Sequence, residues 1–148
     1  MKRARIRCWF LGAVLMAAAS LAYPAACTVS TLGLNFGNYD VFSTLNDDIT
    51  GTVSVNCPSS TVYSIALSSG SGTFASRAMT SGTNLLYYNL YLDATRLTIW
   101  GDGSAGTGTV SGTGTGAALG STVYGRIPWG QNAVVGSYSD IIIVTVTF

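Results

Sequence analysis

The chain has 148 residues, of which only 9% are charged and none is histidine. That length suits one domain. Four of its seven basic residues, Lys2, Arg3, Arg5 and Arg7, crowd the first seven positions, and beyond them three arginines stand against six aspartates, a net charge of −3. The balance excludes a nucleic-acid binder, which needs a basic face to neutralise phosphates, and it removes any attraction to anionic lipid.

The basic start runs into an apolar stretch, CWFLGAVLMAAASLA, from Cys8 to Ala22. Basic residues, a short apolar run and then small residues describe a secretory signal peptide. Ser20-Leu21-Ala22 supplies a small-x-small cleavage site, and a cut as late as Ala26 is compatible with the pattern. The run is too short and too Ala-rich for a membrane span of about 20 residues. The expected organisation is therefore a signal peptide over 1–22 and one exported domain over 23–148, with no membrane span after cleavage. Cys8 leaves with the signal. The remaining pair, Cys27 and Cys57, in an exported chain, is expected to form a disulfide.

Past Cys27 the composition turns to Gly, Ser and Thr, interleaved with Val, Ile, Leu and Tyr, and apolar residues recur at every second position. That period predicts strands. In chain order, Thr52–Cys57 puts Val53, Val55 and Cys57 on one face, and Val62–Leu67 does the same with Tyr63, Ile65 and Leu67. A turn-forming run covers Ser68–Gly82. Leu85–Leu92 aligns Leu86, Tyr88, Leu90 and Leu92, and leaves Tyr87, Asn89 and Tyr91 opposite. Arg96–Trp100 reads as a short strand. Gly101–Gly120 reads as a long loop with a weak strand near Thr109–Ser111. Val123–Ile127 is another strand. The last, from Ser139, aligns Ile142, Val144, Val146 and Phe148. About seven short strands with Gly-rich turns and no helical periodicity predict an all-β fold, an antiparallel β-sandwich.

Chemistry is hard to place on this chain. A nucleophilic Ser or Cys needs a base beside it, and beyond the signal there is no His, Lys or Glu. Asp47-Asp48 reads as a turn with Asn46, and nothing in the sequence positions two of the aspartates across a cleft as glycoside hydrolysis needs. Gly101–Gly106 has one acid, Asp102, too few for a calcium loop, and it lacks the Lys and helix of a phosphate loop. No enzyme, cofactor or metal site is expected. Tyr87, Tyr91, Trp100, Tyr124, Trp129 and Tyr138 are many aromatics for a small domain, and Trp100 and Trp129 stand out as loop residues for surface contact.

The sequence resembles the spore coat protein U domain family, which includes subunits of Csu-type, or archaic, chaperone–usher pili. The resemblance lies in "CTVSTLGLNFGNYD" (27–40), "GTVSVNC" (51–57), "YSIALSSGSGTFASRAM" (63–79), "LLYYNLYLDATRLTIWGDG" (85–103), "YGRIPWGQ" (124–131) and "GSYSDIIIVTVTF" (136–148), in that order. It implies an immunoglobulin-like sandwich that lacks its final strand, so that an apolar groove stays open until another polypeptide fills it. The groove walls would be Ile142, Val144, Val146 and Phe148 on one side and Leu32, Leu34 and Phe36, alternating on the first strand, on the other. A periplasmic chaperone, gripping the carboxylate of Phe148, would fill the groove first, and a donor strand from another pilus subunit would replace it at the usher. The implied function is an exported pilus subunit for adhesion and biofilm formation, carried through the periplasm to the cell surface. At most Tyr23–Ala26 precede Cys27 after cleavage, and Pro24 cannot donate to a ladder. The family's N-terminal donor segment is thus expected to be missing, which favours a tip or terminal acceptor. The alternative expectation is a self-complete secreted adhesin or spore-coat-like surface protein that uses Trp100 and Trp129.

Overall fold

The computed structural model describes residues 26–148, so the expected signal peptide and its cleavage site lie outside the described residues, apart from Ala26. Eight strands and no helix are present among them: β1 (Thr28–Thr31), β2 (Asp47–Asn56), β3 (Val62–Leu67), β4 (Arg77–Ser81), β5 (Asn84–Tyr91), β6 (Val110–Thr113), β7 (Ala118–Ile127) and β8 (Val144–Thr147). All pairings between strands are antiparallel. One sheet has the order β1-β2-β7-β5-β4 and the other β6-β3-β8. The fold is the expected immunoglobulin-like sandwich.

The alternation of the sequence becomes the inside and outside of the sandwich because successive strand residues point to opposite faces. Val53 and Val55 of β2, Cys57 just after it, Val123 and Ile127 of β7, and Leu86, Tyr88 and Leu90 of β5 face Tyr63, Ile65 and Leu67 of β3 across the buried core. The central ladder is β2 on β7, ten residue pairs from Asp47↔Ile127 to Asn56↔Ala118. Cys27 and Cys57 are joined, as expected, which staples the start of β1 to the end of β2. In the chain-entropy picture, a closed loop of 30 residues stabilises the fold by roughly 3–4 kcal/mol.

Several local expectations need correction. Arg96–Trp100 is not a strand; Ile99 and Trp100 make only isolated bridges, to Tyr91 and Gly108. Trp100 is not a surface residue. It is fully buried, its indole N–H donates to the Ile65 carbonyl (3.0 Å), and its backbone N–H donates to Leu90 (2.9 Å). It thereby ties β5 of one sheet to β3 of the other. The Ser68–Gly82 run contains a strand, β4, whose pattern of Arg, Ala, Met and Thr carries little apolar alternation. Asp47 and Asp48 open β2 rather than form a turn. The first strand ends at Thr31, and Leu32 is almost wholly exposed. The cause is Gly33, whose φ of 67° turns the chain and breaks the alternation that would have aligned Leu32 with Leu34.

Candidate functional site: an open cleft beside the last strand

β8 is hydrogen-bonded to β3 over Leu67↔Val144 to Ser64↔Thr147, and its other edge has no strand partner among the described residues. The consequence shows in burial. Ile65 and Leu67 are 0% and 2% exposed, yet Val146 and Val144, which sit directly opposite them on the same face, are only partly covered. Coverage is lost on stepping one strand toward the edge. Beyond that edge a cleft of about 840 Å³ opens into the core.

The cleft has an apolar floor and two loop walls. The floor is Val53, Val123, Ile127, Leu86, Leu90 and Leu67. One wall is the segment after β1, with Leu34 and Phe36. The other is the segment before β8, from Ala133 to Ile142. Leu34 and Phe36 reach the inner face because Gly51 and Gly125 leave it bare. A Cβ on Gly51 would stand 2.9 Å from Leu34 Cγ, and one on Gly125 would stand 2.8 Å from Phe36 Cζ. A glycine in a strand interior commonly marks such close approach. The Phe36 ring meets Tyr88 edge-on at 6.0 Å.

A polar network fixes the end of the cleft where β8 begins. The Tyr88 hydroxyl donates to Asp140 Oδ2 (2.7 Å), and Asp140 Oδ1 accepts from the Ser71 N–H (3.0 Å) and hydroxyl (2.9 Å). Burial, then the bond to Asp140, pushes the Tyr88 phenol well above the usual tyrosine range. Behind it lies Arg77, fully buried. Its Nε and Nη2 donate to the Ser68 carbonyl (3.1 and 2.8 Å), Nη2 also donates to Trp100 O (2.7 Å), and Nη1 donates to Asn89 Oδ1 (2.6 Å). Burial lowers its pKa. Ser68 in turn exchanges two bonds with Ile143, giving its N–H to the carbonyl (3.0 Å) and accepting the Ile143 N–H on its hydroxyl (2.9 Å).

Of the residues expected in the groove, Leu34, Phe36, Ile142 and Val144 line the cleft. Val146 packs on the core beside β3, while Leu32 and Phe148 lie outside the lining, Phe148 exposed at the chain end. Leu86, Leu90, Met79 and Tyr138 were not expected there. Period-two alternation turned the β5 residues inward but carries no sign of which part of an interior is left uncovered. Trp129 is 57% exposed, near the start of β2, where its N–H donates to Asn46 Oδ1 (3.2 Å). On the solvent face of the larger sheet, Arg126 grips Asp48 with two bonds (2.7 and 2.8 Å) and Arg96 approaches the same carboxylate at 3.3 Å. The bond from Arg126 comes first in holding the Asp48 pKa below its usual value. Among the described residues no three His, Cys, Asp or Glu side chains gather where they would hold a metal ion, and no helix is long and apolar enough to cross a membrane.

The family model described as the Spore Coat Protein U domain matches residues 13–145. A relative, "Protein U" of Myxococcus xanthus, is 36% identical over 129 residues, covering 78% of this chain and 71% of its own length. A chain of the crystal structure of the CsuC–CsuE chaperone–tip adhesion subunit pre-assembly complex, from archaic chaperone–usher Csu pili of Acinetobacter baumannii, superposes with a TM-score of 0.63 at 20% identity. That match covers 84% of this chain and only 40% of the other, so it speaks for the fold.

Proposed function

Because the chain belongs to the Spore Coat Protein U domain family, we propose that it is an exported, non-catalytic structural subunit of an archaic chaperone–usher pilus or a related surface structure. The single observation that carries this reading is the edge of β8, unpaired among the described residues, beside an open apolar cleft. Such an edge is a liability in a free protein and an asset in an assembling one. A strand laid along β8 would pair with its free backbone groups and drop alternate side chains into the cleft. Each apolar side chain so buried contributes roughly 1.5–3 kcal/mol, and each ladder hydrogen bond roughly 0.5–1.5 kcal/mol.

The partners in this reading are a periplasmic chaperone, which holds the edge before assembly, and then an usher and other pilus subunits, one of which donates the strand in trans. In this reading the groove residues are Leu34, Phe36, Ile142 and Val144. Export is carried by the signal peptide read over 1–22. Placement at a tip or terminal acceptor position, and a role in adhesion and biofilm formation, belong to the same proposal. They draw support from the likeness to a chain of a chaperone–tip adhesion subunit complex.

The test is co-expression in a bacterial periplasm with and without a tagged Csu-type chaperone. The expected result is a stoichiometric complex in the first case and a sharply reduced yield of soluble chain in the second. A soluble, stable monomer of equal yield without chaperone, forming no complex with it, overturns the proposal. The alternative, a self-complete secreted adhesin, rests on the exposure of Trp129. It predicts loss of surface attachment in Trp129→Ala by a chain that needs no partner to fold.

A further inference from the structure

The segment that forms one wall of the cleft is held in an unusual way. Among the described residues, residues 32–39 make no backbone–backbone hydrogen bond. Their turn bonds come from side chains two positions back: the Gly33 N–H donates to Thr31 Oγ1 (3.0 Å) and the Gly37 N–H to Asn35 Oδ1 (2.9 Å). Leu34 and Phe36 are seated over Gly51 and Gly125. Gly33 and Gly37 bracket these two side chains, with φ of 67° and 75°. A Cβ at either glycine would meet nothing within 4 Å. Packing therefore does not require glycine there; the backbone conformation does. On either side the chain is pinned, upstream by β1 and the Cys27–Cys57 bond. Downstream, the Tyr39 hydroxyl donates to Pro128 O and accepts the Gln131 N–H, each at 3.0 Å.

Two fixed ends, two glycine pivots, no backbone ladder and two side chains in open seats describe a strap rather than a strand. We propose that residues 33–37 form a hinged gate over the cleft floor. When the cleft is empty, Leu34 and Phe36 sit over Gly51 and Gly125 and shield part of the floor. When a strand enters beside β8, they leave those seats. The gate rests on the reading of the cleft as a strand acceptor, and it gives Leu34 and Phe36 a role in admission distinct from a fixed wall. It also explains glycine at two interior strand positions, where its backbone freedom ordinarily costs stability.

The experiment places a reporter thiol under the gate. Val123→Cys puts it on the cleft floor, where Val123 is 1% exposed, and Ile65→Cys puts one at a 0% exposed position outside the cleft. The purified oxidised full-length domain is reacted with a small maleimide. Local opening of the strap exposes the first site and only global unfolding exposes the second, so Val123→Cys is expected to label roughly 100-fold faster. Adding Gly125→Ala, whose Cβ would intrude on Phe36 and Leu34, or Phe36→Ala where that variant does not fold, is expected to speed labelling of Val123→Cys by a further ~10-fold. Equal labelling of the two thiols, or no acceleration by either second change, overturns the gate. Repeating the labelling in the complex with a tagged periplasmic chaperone separates the two ideas. Fast labelling in the free domain with no complex formed supports the gate and removes the pilus reading. Protection of Val123→Cys in a complex supports both.

Discussion

Arg77 is the residue on which the closed end of the cleft depends, and its replacement by alanine is a sharp test of the network described above. The guanidinium is fully buried and touches no carboxylate; its four hydrogen bonds end on Ser68 O (two), Trp100 O and Asn89 Oδ1. Asn89 Oδ1 keeps a second donor, the Leu90 N–H at 2.9 Å, so Arg77→Ala orphans chiefly two buried carbonyls. Each costs about 1–3 kcal/mol. Lost packing over Phe74 adds to that, and release of a desolvated charge subtracts. The balance is a loss of ~3–5 kcal/mol, in the range seen when one member of a buried polar cluster is removed. For a domain of this size it lowers Tm by roughly 10–20 °C. Thermal unfolding of the oxidised domain followed by circular dichroism reads it. Arg77→Lys keeps a charge but not the planar fork, and should recover less than half of the loss. A drop below about 3 °C in Arg77→Ala would mean that the fork contributes little, and that β8 is positioned by something else.

Trp100→Ala should destabilise the domain by about 3–5 kcal/mol, as a large core truncation does, whereas Trp129→Ala should move Tm by less than ~2 °C, the usual outcome at an exposed site; parallel melts decide. Reducing the Cys27–Cys57 bond, or replacing both cysteines by serine, should cost roughly 2–5 kcal/mol and free β1 from β2, measured by urea titration. Asp48 has a folded-state pKa below its unfolded value, so its pairing with Arg126 contributes stability above about pH 4 and loses it as the pH falls through the depressed value. Asp48→Asn should therefore lower Tm at pH 7 by the equivalent of less than ~1 kcal/mol, and wild type and variant should converge once the pH falls below that depressed value. Asp47, raised first by burial and then by Asp48, opposes this with the contrary sign.

What the sequence made legible was the inward face. Val53, Val55, Tyr63, Ile65, Leu67, Leu86, Tyr88 and Leu90 announce themselves by alternation, because a strand residue on the wrong face would bury a polar side chain or expose an apolar one. β4 was hidden for the converse reason. Its inward positions include Arg77, which reads as solvent-facing until its three bonding partners, Ser68, Asn89 and Trp100, are seen together. Trp100 misled in a related way. Flanked by Ile99 and a glycine-rich loop, it looks like a loop residue, and only the meeting of β5 and β3 around it explains its burial. Leu32 failed through a single dihedral angle, since no alternation count anticipates a positive φ at Gly33. The cleft itself was legible only as an implication of the family resemblance, because an unfilled space leaves no composition of its own.

A strand acceptor also has to present its edge in one register, since a slip of one residue would turn Val144 and Val146 outward and Thr145 and Thr147 in. β8 is only four residues long and pairs on one side, which by itself specifies register weakly. The polar network compensates. Ser68 holds both backbone groups of Ile143, one residue before β8 begins, and Arg77 holds Ser68. Asp140, three residues earlier, is fixed by Ser71 and Tyr88, and by the closeness of Gly70, where a Cβ would stand 2.0 Å from Asp140 Oδ2. The buried arginine, the buried tyrosine and a glycine at positive φ thus converge on the two residues that set where β8 starts. The polar cluster is saturated with internal bonds, and its physical effect is to hold one end of the β8 edge in register while the other side stays open.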